Sequence, residues 1–266
     1  MRRGALAALY WAATAAFALP LTLIALTSLS GGEIVGFPLG PPSLRWYGMA
    51  TTDPDVRSAL ALSMAMAATT ALLSLLAGTW IALTVAALRP AWIRGVLLAC
   101  ALLPLVTPGI VHAIALRIAI HAIGLDPGAG AILLGHVIHA TPYVAIMAGT
   151  RLATMPDGLV DAARTLGAGP AASFAWVVLP WLAPALLGAG ALAALSSFDD
   201  FIRSFFLGGY DSTLPVLIFG RLRSGLTPEI NAIATLALLL VGMVVALLEW
   251  TRRRAAQAAS GAEERI

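Results

Sequence analysis

The sequence predicts an all-α polytopic membrane protein with about six transmembrane helices. Three observations predict it. Of 266 residues, 60% are hydrophobic and only 11% are charged, whereas about a quarter of a soluble chain is charged. The mean hydropathy is +0.91. The apolar residues also fall in runs long enough to cross a bilayer, which takes about 20 residues of helix.

Met1-Arg2-Arg3 precedes an apolar run from Ala5 to Leu29. The run is longer than the roughly 7–15-residue apolar stretch of a signal peptide. It is predicted to span with its Arg end in the cytosol and a kink at Pro20. Ser30 to Arg57 is rich in Gly, Pro and acids and cannot span. Trp46 and Tyr47 within it predict a short helix lying at the outer membrane interface. Ser58 to Leu88 is the second span. Arg89 and Arg94 place the next loop in the cytosol. Val96 to Leu125 is the third span, interrupted by Pro104 and Pro108-Gly109. Asp126 to Gly130 is a short outer turn, and Ala131 to Leu152 is the fourth span, with Pro142 inside it. Trp181 to Leu207 is the fifth span, Gly208 to Pro228 an outer loop, and Glu229 to Trp250 the sixth span. Arg252-Arg253-Arg254 then mark a cytosolic end, so both termini are expected inside. Arg45, Arg57, Arg221 and Arg223 fall outside, against the charge rule. Residues 1–266 read as a single transmembrane domain.

Asp157 to Pro180 is the long mixed-polarity segment set between apolar runs, and it reads as two short helices with a break. Asp157 is the expected N-cap. Leu159, Val160, Ala163 and Leu166 share one face by spacing, and Asp161 and Arg164 are placed for a weak surface pair. Gly167 is expected to end the first helix in a left-handed cap. Pro170 is expected in the first turn of the second, and Leu179-Pro180 is expected to stop it.

The net charge of +3 comes from Arg alone, because the chain contains no Lys. A GxxxxGK[ST] phosphate loop is therefore impossible in this chain, and any ATP must be hydrolysed by another polypeptide. The single Cys100 excludes an internal disulfide and a Cys-based zinc site and reads as a small core residue. His112, His121, His136 and His139 form no zinc pattern. They read as hydrogen-bonded bundle residues, so no metal or cofactor is expected. Arg117 sits within the third span, where an isolated charge is costly. It either lines a solute path or pairs with Asp199 or Asp200. Those two acids, with Phe198 and Phe201, form the other polar stretch near a span end and cannot all face lipid.

The spacing Asp161-Ala162-Ala163, three residues, Gly167, nine residues, Val177-x-Leu179-Pro180 resembles the EAA loop of ABC-importer permeases. Asp161 stands for the usual Glu and Val177 for the usual Ile. Ser197 to Phe201, Leu214-Pro215-Val216, Gly225 to Ala232, Leu103 to Val111 and Trp46-Tyr47 resemble the spermidine/putrescine branch of the type I importers. Gly109 departs from that branch, which carries an acid there. The resemblance implies a type I permease fold and makes 157–180 the segment that docks a cytosolic ATPase through Asp161, Ala162, Ala163, Gly167, Leu179 and Pro180. It implies a second, related permease subunit, ATPase subunits and an extracytoplasmic solute-binding protein as partners, in a bacterial inner membrane, with no nucleic acid. The implied cargo is a polyamine-type solute. The alternatives are another small organic solute (an amino-phosphonate, a cation or an anion) and an ion-coupled secondary transporter.

Overall fold

The computed structural model describes residues 2–34, 36 and 40–263, with side chains in helices left out at 2–5, 248, 251–253 and 255–263. The side chains of Arg2, Arg3, Arg252 and Arg253, on which the sequence placed the termini, lie outside the described residues. In chain order the helices are α1 (Arg2–Ser28), α2 (Arg45–Thr52), α3 (Pro54–Ala87), α4 (Ala91–Val106), α5 (Gly109–Ala122) and α6 (Ala129–Ala153). These are followed by α7 (Leu159–Thr165), α8 (Pro170–Ser173), α9 (Leu179–Phe198), α10 (Phe201–Leu207), α11 (Leu214–Ser224) and α12 (Pro228–Glu263). No strand occurs among the described residues, and one isolated bridge joins Ser30 and Pro42.

Five stretches are long and apolar enough to cross a membrane: Leu6–Ser28, Pro54–Ala87, Ala129–Ala153, Pro170–Phe198 and Pro228–Leu247. A sixth is the broken pair α4 and α5, bent by 109°. Thr107 and Pro108 both adopt extended backbone at the break, as expected where a proline forbids the preceding residue from continuing a helix. The predicted interruption is therefore a sharp corner.

The chain divides into two compact units, one of Met1–Ser58 with Leu217–Ile266 and the other of Ala59–Val216. In the first, α12 packs on α1 and α2. The short helix expected around Trp46 and Tyr47 is α2; Trp46 is 7% exposed, and its indole N–H donates to the Ser30 carbonyl at 2.9 Å. Tyr47 shares a 2.6 Å hydrogen bond with Ser28. Arg221 is held between Asp53 at 2.6 Å and Glu229 at 2.5 Å.

In the second unit, Met66, Ile120, Ala131, Ile132 and Leu207 form a buried apolar cluster. Gly78 lets α3 approach α6 closely, since a Cβ there would lie 2.6 Å from Val144 Cβ. Three expectations are corrected here. The fifth span runs from Pro170 to Phe198, and 201–207 is a separate short helix. Leu179-Pro180 does not stop a helix, because a π-helical turn at Phe174–Val178 leads from α8 straight into α9. Pro180 lies inside this continuous helical stretch, and the local change to π-helical bonding just before it accommodates the missing N–H. Cys100 is exposed on α4, a helix with no buried residue, and is not a core residue.

Candidate functional site

Two places in the second unit concentrate the polar residues singled out above. The first is the short helix α10. Asp200 is its N-cap: Oδ1 accepts from the Arg203 backbone N–H at 2.9 Å, and Oδ2 accepts from Arg203 Nη1 at 2.6 Å. Both side chains are only 6% exposed. Arg203 Nε donates to His112 Nδ1 at 3.3 Å, and Nη2 donates to His139 Nδ1 at 3.0 Å. A guanidinium can only donate, so both imidazoles accept through Nδ1 and are neutral there. The buried charge pair thereby ties α10 to α5 and α6, with hydrogen bonds around the guanidinium that a buried ion pair requires if desolvation is not to dominate. A second set of contacts adjoins it: His136 Nδ1 lies 2.8 Å from Ser197 Oγ and its Nε2 lies 3.2 Å from Ser204 Oγ, and Ser197 donates onward to Thr70 at 3.2 Å, joining α3, α6, α9 and α10.

At the other end of α10, Arg117 Nη1 donates to the Phe206 carbonyl at 2.8 Å. The helix thus carries an acid at its N-terminus and a cation at its C-terminus, both favoured by its dipole. Asp200 is paired with Arg203, while the contact of Arg117 is a backbone carbonyl. Asp199 is exposed at the end of α9, and Phe198 and Phe201 are half-buried. Phe201 and Phe205 pack with ring centroids 5.4 Å apart. The five sequence candidates for a solute path therefore border one helix. Arg203 and the His residues were not among them. The three-residue spacing of Asp200 and Arg203 was the available signal.

The second place is the segment 157–180. The N-cap position of α7 belongs to Gly158 at φ +79°, and Asp157 lies one residue before it. At the other end, Gly167 adopts φ +88°. Its N–H bonds the Arg164 carbonyl at 2.9 Å, and the Ala168 N–H bonds that of Ala163 at 3.0 Å. These two bonds are a Schellman motif, the left-handed cap expected from the sequence. Pro170 occupies the first turn of α8. Asp161 and Arg164 form only a loose exposed pair at 3.6 Å. Val160 and Ala163 are half-buried, but Leu166 does not share their face: it is 90% exposed, and Trp176 is 81% exposed. The segment thus exposes Leu166 at the capped end of α7 and Trp176 in the π-helical turn that follows α8.

Residues 74–257 match the family described as binding-protein-dependent transport system inner membrane component. The chain is similar to the putrescine transport system permease protein PotI of Escherichia coli (strain K12). The two are 35% identical over 242 residues, covering 87% of this chain and 84% of that protein. It is also similar to the spermidine/putrescine transport system permease protein PotC of the same strain, 30% identical over 206 residues, covering 76% and 77% respectively. Among solved structures, a chain of a bacterial ABC transporter involved in the import of the acidic polysaccharide alginate aligns with a TM-score of 0.74. That alignment covers 95% of this chain and 96% of that one at 13% identity, a likeness of fold.

Proposed function

The chain belongs to the binding-protein-dependent transport system inner membrane components, as a permease of the ABC-importer type, and from that premise we propose that its solute is a polyamine of the spermidine/putrescine kind. The similarity to the putrescine permease over most of both chains supports the solute. The observation that carries the mechanism is the helix α7, closed by a left-handed cap at Gly167, with Leu166 projecting at its end. In this reading 157–180 seats in a cleft of a cytosolic ATPase, with Asp161, Ala162, Ala163 and Gly167 at the contact and Leu179-Pro180 leading back into the membrane. A second, related permease completes the pathway, and an extracytoplasmic binding protein delivers solute. ATP binding draws the two coupling segments together and rocks the spans between inward- and outward-facing states. Both termini are cytosolic, and residues 1–266 act as one permease domain. Asp199, Asp200, Arg117, Phe198 and Phe201 border the solute path around α10. The chain supplies no covalent chemistry; hydrolysis belongs to the ATPase.

The test is uptake of radiolabelled putrescine into proteoliposomes holding the complete transporter. Uptake that requires ATP and binding protein and persists with uncoupler supports the reading. Uptake abolished by uncoupler and indifferent to ATP would establish a secondary transporter instead. The alternative is a second solute class, zwitterionic or anionic: the position where the resemblance leads one to expect an acid is Gly109, and the Arg203 guanidinium beside it is already paired with Asp200. Competition by carboxylate- or phosphonate-bearing amines, with none by putrescine, would select it.

A further inference from the structure

The last turn of α6 and the first turn of α9 flank the segment 157–180. They are joined by a reciprocal contact between Arg151 and Trp181. Arg151 Nε donates to the Trp181 carbonyl at 3.0 Å, and Trp181 Nε1 donates to the Arg151 carbonyl at 3.0 Å. The guanidinium carbon also lies 4.1 Å from the centre of the indole ring. Each side chain thus holds the other's backbone, and the stacking fixes the relative orientation of the two. The Arg151 carbonyl, in the last turn of α6, also accepts the Thr154 backbone N–H at 3.2 Å, so Trp181 adds a second donor to the end of the helix. Beyond the contact, α6 and α9 remain packed on each other, and a Cβ at Gly188 would lie 3.3 Å from Met147 Cε.

We propose that Arg151 and Trp181 form the transmission joint of the permease, a clasp that closes the base of 152–180 so that a displacement of α7 and α8 moves α6 and α9 as one lever. Without it, the ends of the two helices splay and absorb the displacement. Both are positioning residues, acting through the helices they hold. The proposal rests on the reading that 157–180 receives the ATPase.

The test reads transmission without a solute. A single cysteine, Ser196→Cys in a Cys100→Ala background, reports near the far end of α9. Its labelling by a water-soluble maleimide is measured in the assembled transporter with and without a non-hydrolysable ATP analogue. With the clasp intact, the analogue should change the labelling rate by about fivefold or more, the scale of a typical coupling free energy. Trp181→Phe keeps the ring but removes the N–H donor. Arg151→Ala removes both the donor and the cation. Each should reduce the response to below about twofold while the ATPase still co-purifies, and Arg151→Lys, which keeps the stacked charge, should restore part of it. A full response in Trp181→Phe and Arg151→Ala overturns the clasp and leaves the coupling reading standing. If Arg151→Ala fails to assemble, Trp181→Phe alone decides: a full response shows a structural role only. An unresponsive parent overturns both the clasp and the coupling reading.

Discussion

Replacing Arg203 with Leu tests the network around α10. The substitution leaves the Asp200 carboxylate, whose side chain is 6% exposed, without the guanidinium that neutralises it. Removing one partner of a buried ion pair costs about 3–5 kcal/mol. His112 and His139 also lose the donors to their Nδ1 atoms, and each such loss is worth about 1 kcal/mol. The double variant Asp200→Asn/Arg203→Leu removes the charge as well. Asn still supplies a side-chain oxygen to cap α10, so the double variant should retain only the imidazole losses, about 2 kcal/mol. The double variant should therefore be more stable than Arg203→Leu by about 3–5 kcal/mol, the cost of the unpaired carboxylate. Unfolding of the purified permease by SDS in mixed micelles measures it. A single Arg203→Leu variant within about 1 kcal/mol of the parent, or a double variant no more stable than that single, would refute the assignment of a desolvated, mutually dependent pair.

Other outcomes follow from the same geometry. Gly167→Val forces a β-branched residue to φ +88°, which costs roughly 1–2 kcal/mol. It should abolish uptake and ATPase co-purification with membrane insertion intact, whereas Gly167→Asn, which tolerates that conformation, should retain both. Arg117→Ala leaves Asp200 with its partner and removes only a C-terminal cap of α10, so SDS unfolding should show a loss of about 1 kcal/mol or less. A fall in putrescine uptake much larger than that would place Arg117 on the path. The hydrogen bond from Arg221 holds the Asp53 carboxyl below the usual carboxylate range. The folded value lies under the unfolded one, so the pair's contribution is complete above about pH 4 and is lost as pH falls through the lowered value. Melting temperature should drop more steeply below about pH 4 in the parent than in Asp53→Asn.

Most of the spans were legible because hydrophobic length is a one-dimensional property: the first, second, fourth and sixth runs each hold a long apolar helix, and the broken third span was visible in Pro104 and Pro108-Gly109, whereas the fifth begins and ends earlier than its run. The cap at Gly167 was legible for the same reason, since a Schellman turn is built from consecutive residues. What escaped depends on contacts between distant parts of the chain. The burial of Trp46 involves the Ser30 carbonyl, sixteen residues away, which no local pattern announces. The Asp200–Arg203 pair was visible as a spacing, but its importance comes from His112 and His139, which α5 and α6 bring from elsewhere. Pro180 misled because a proline reads as a stop wherever it falls. Here a π-helical turn placed just before it carries the helix onward, and no local pattern announces such a turn.

The central claim, that 157–180 is the surface engaged by a cytosolic ATPase, is tested most directly at Leu166, which is 90% exposed at the tip of α7. A photo-crosslinking amino acid placed there is irradiated in membranes from cells making the whole transporter, and the adduct is identified by mass spectrometry. The account predicts an adduct with the ATPase polypeptide that nucleotide strengthens or weakens. An adduct with the extracytoplasmic binding protein, or none to the ATPase while the transporter remains active, would contradict it.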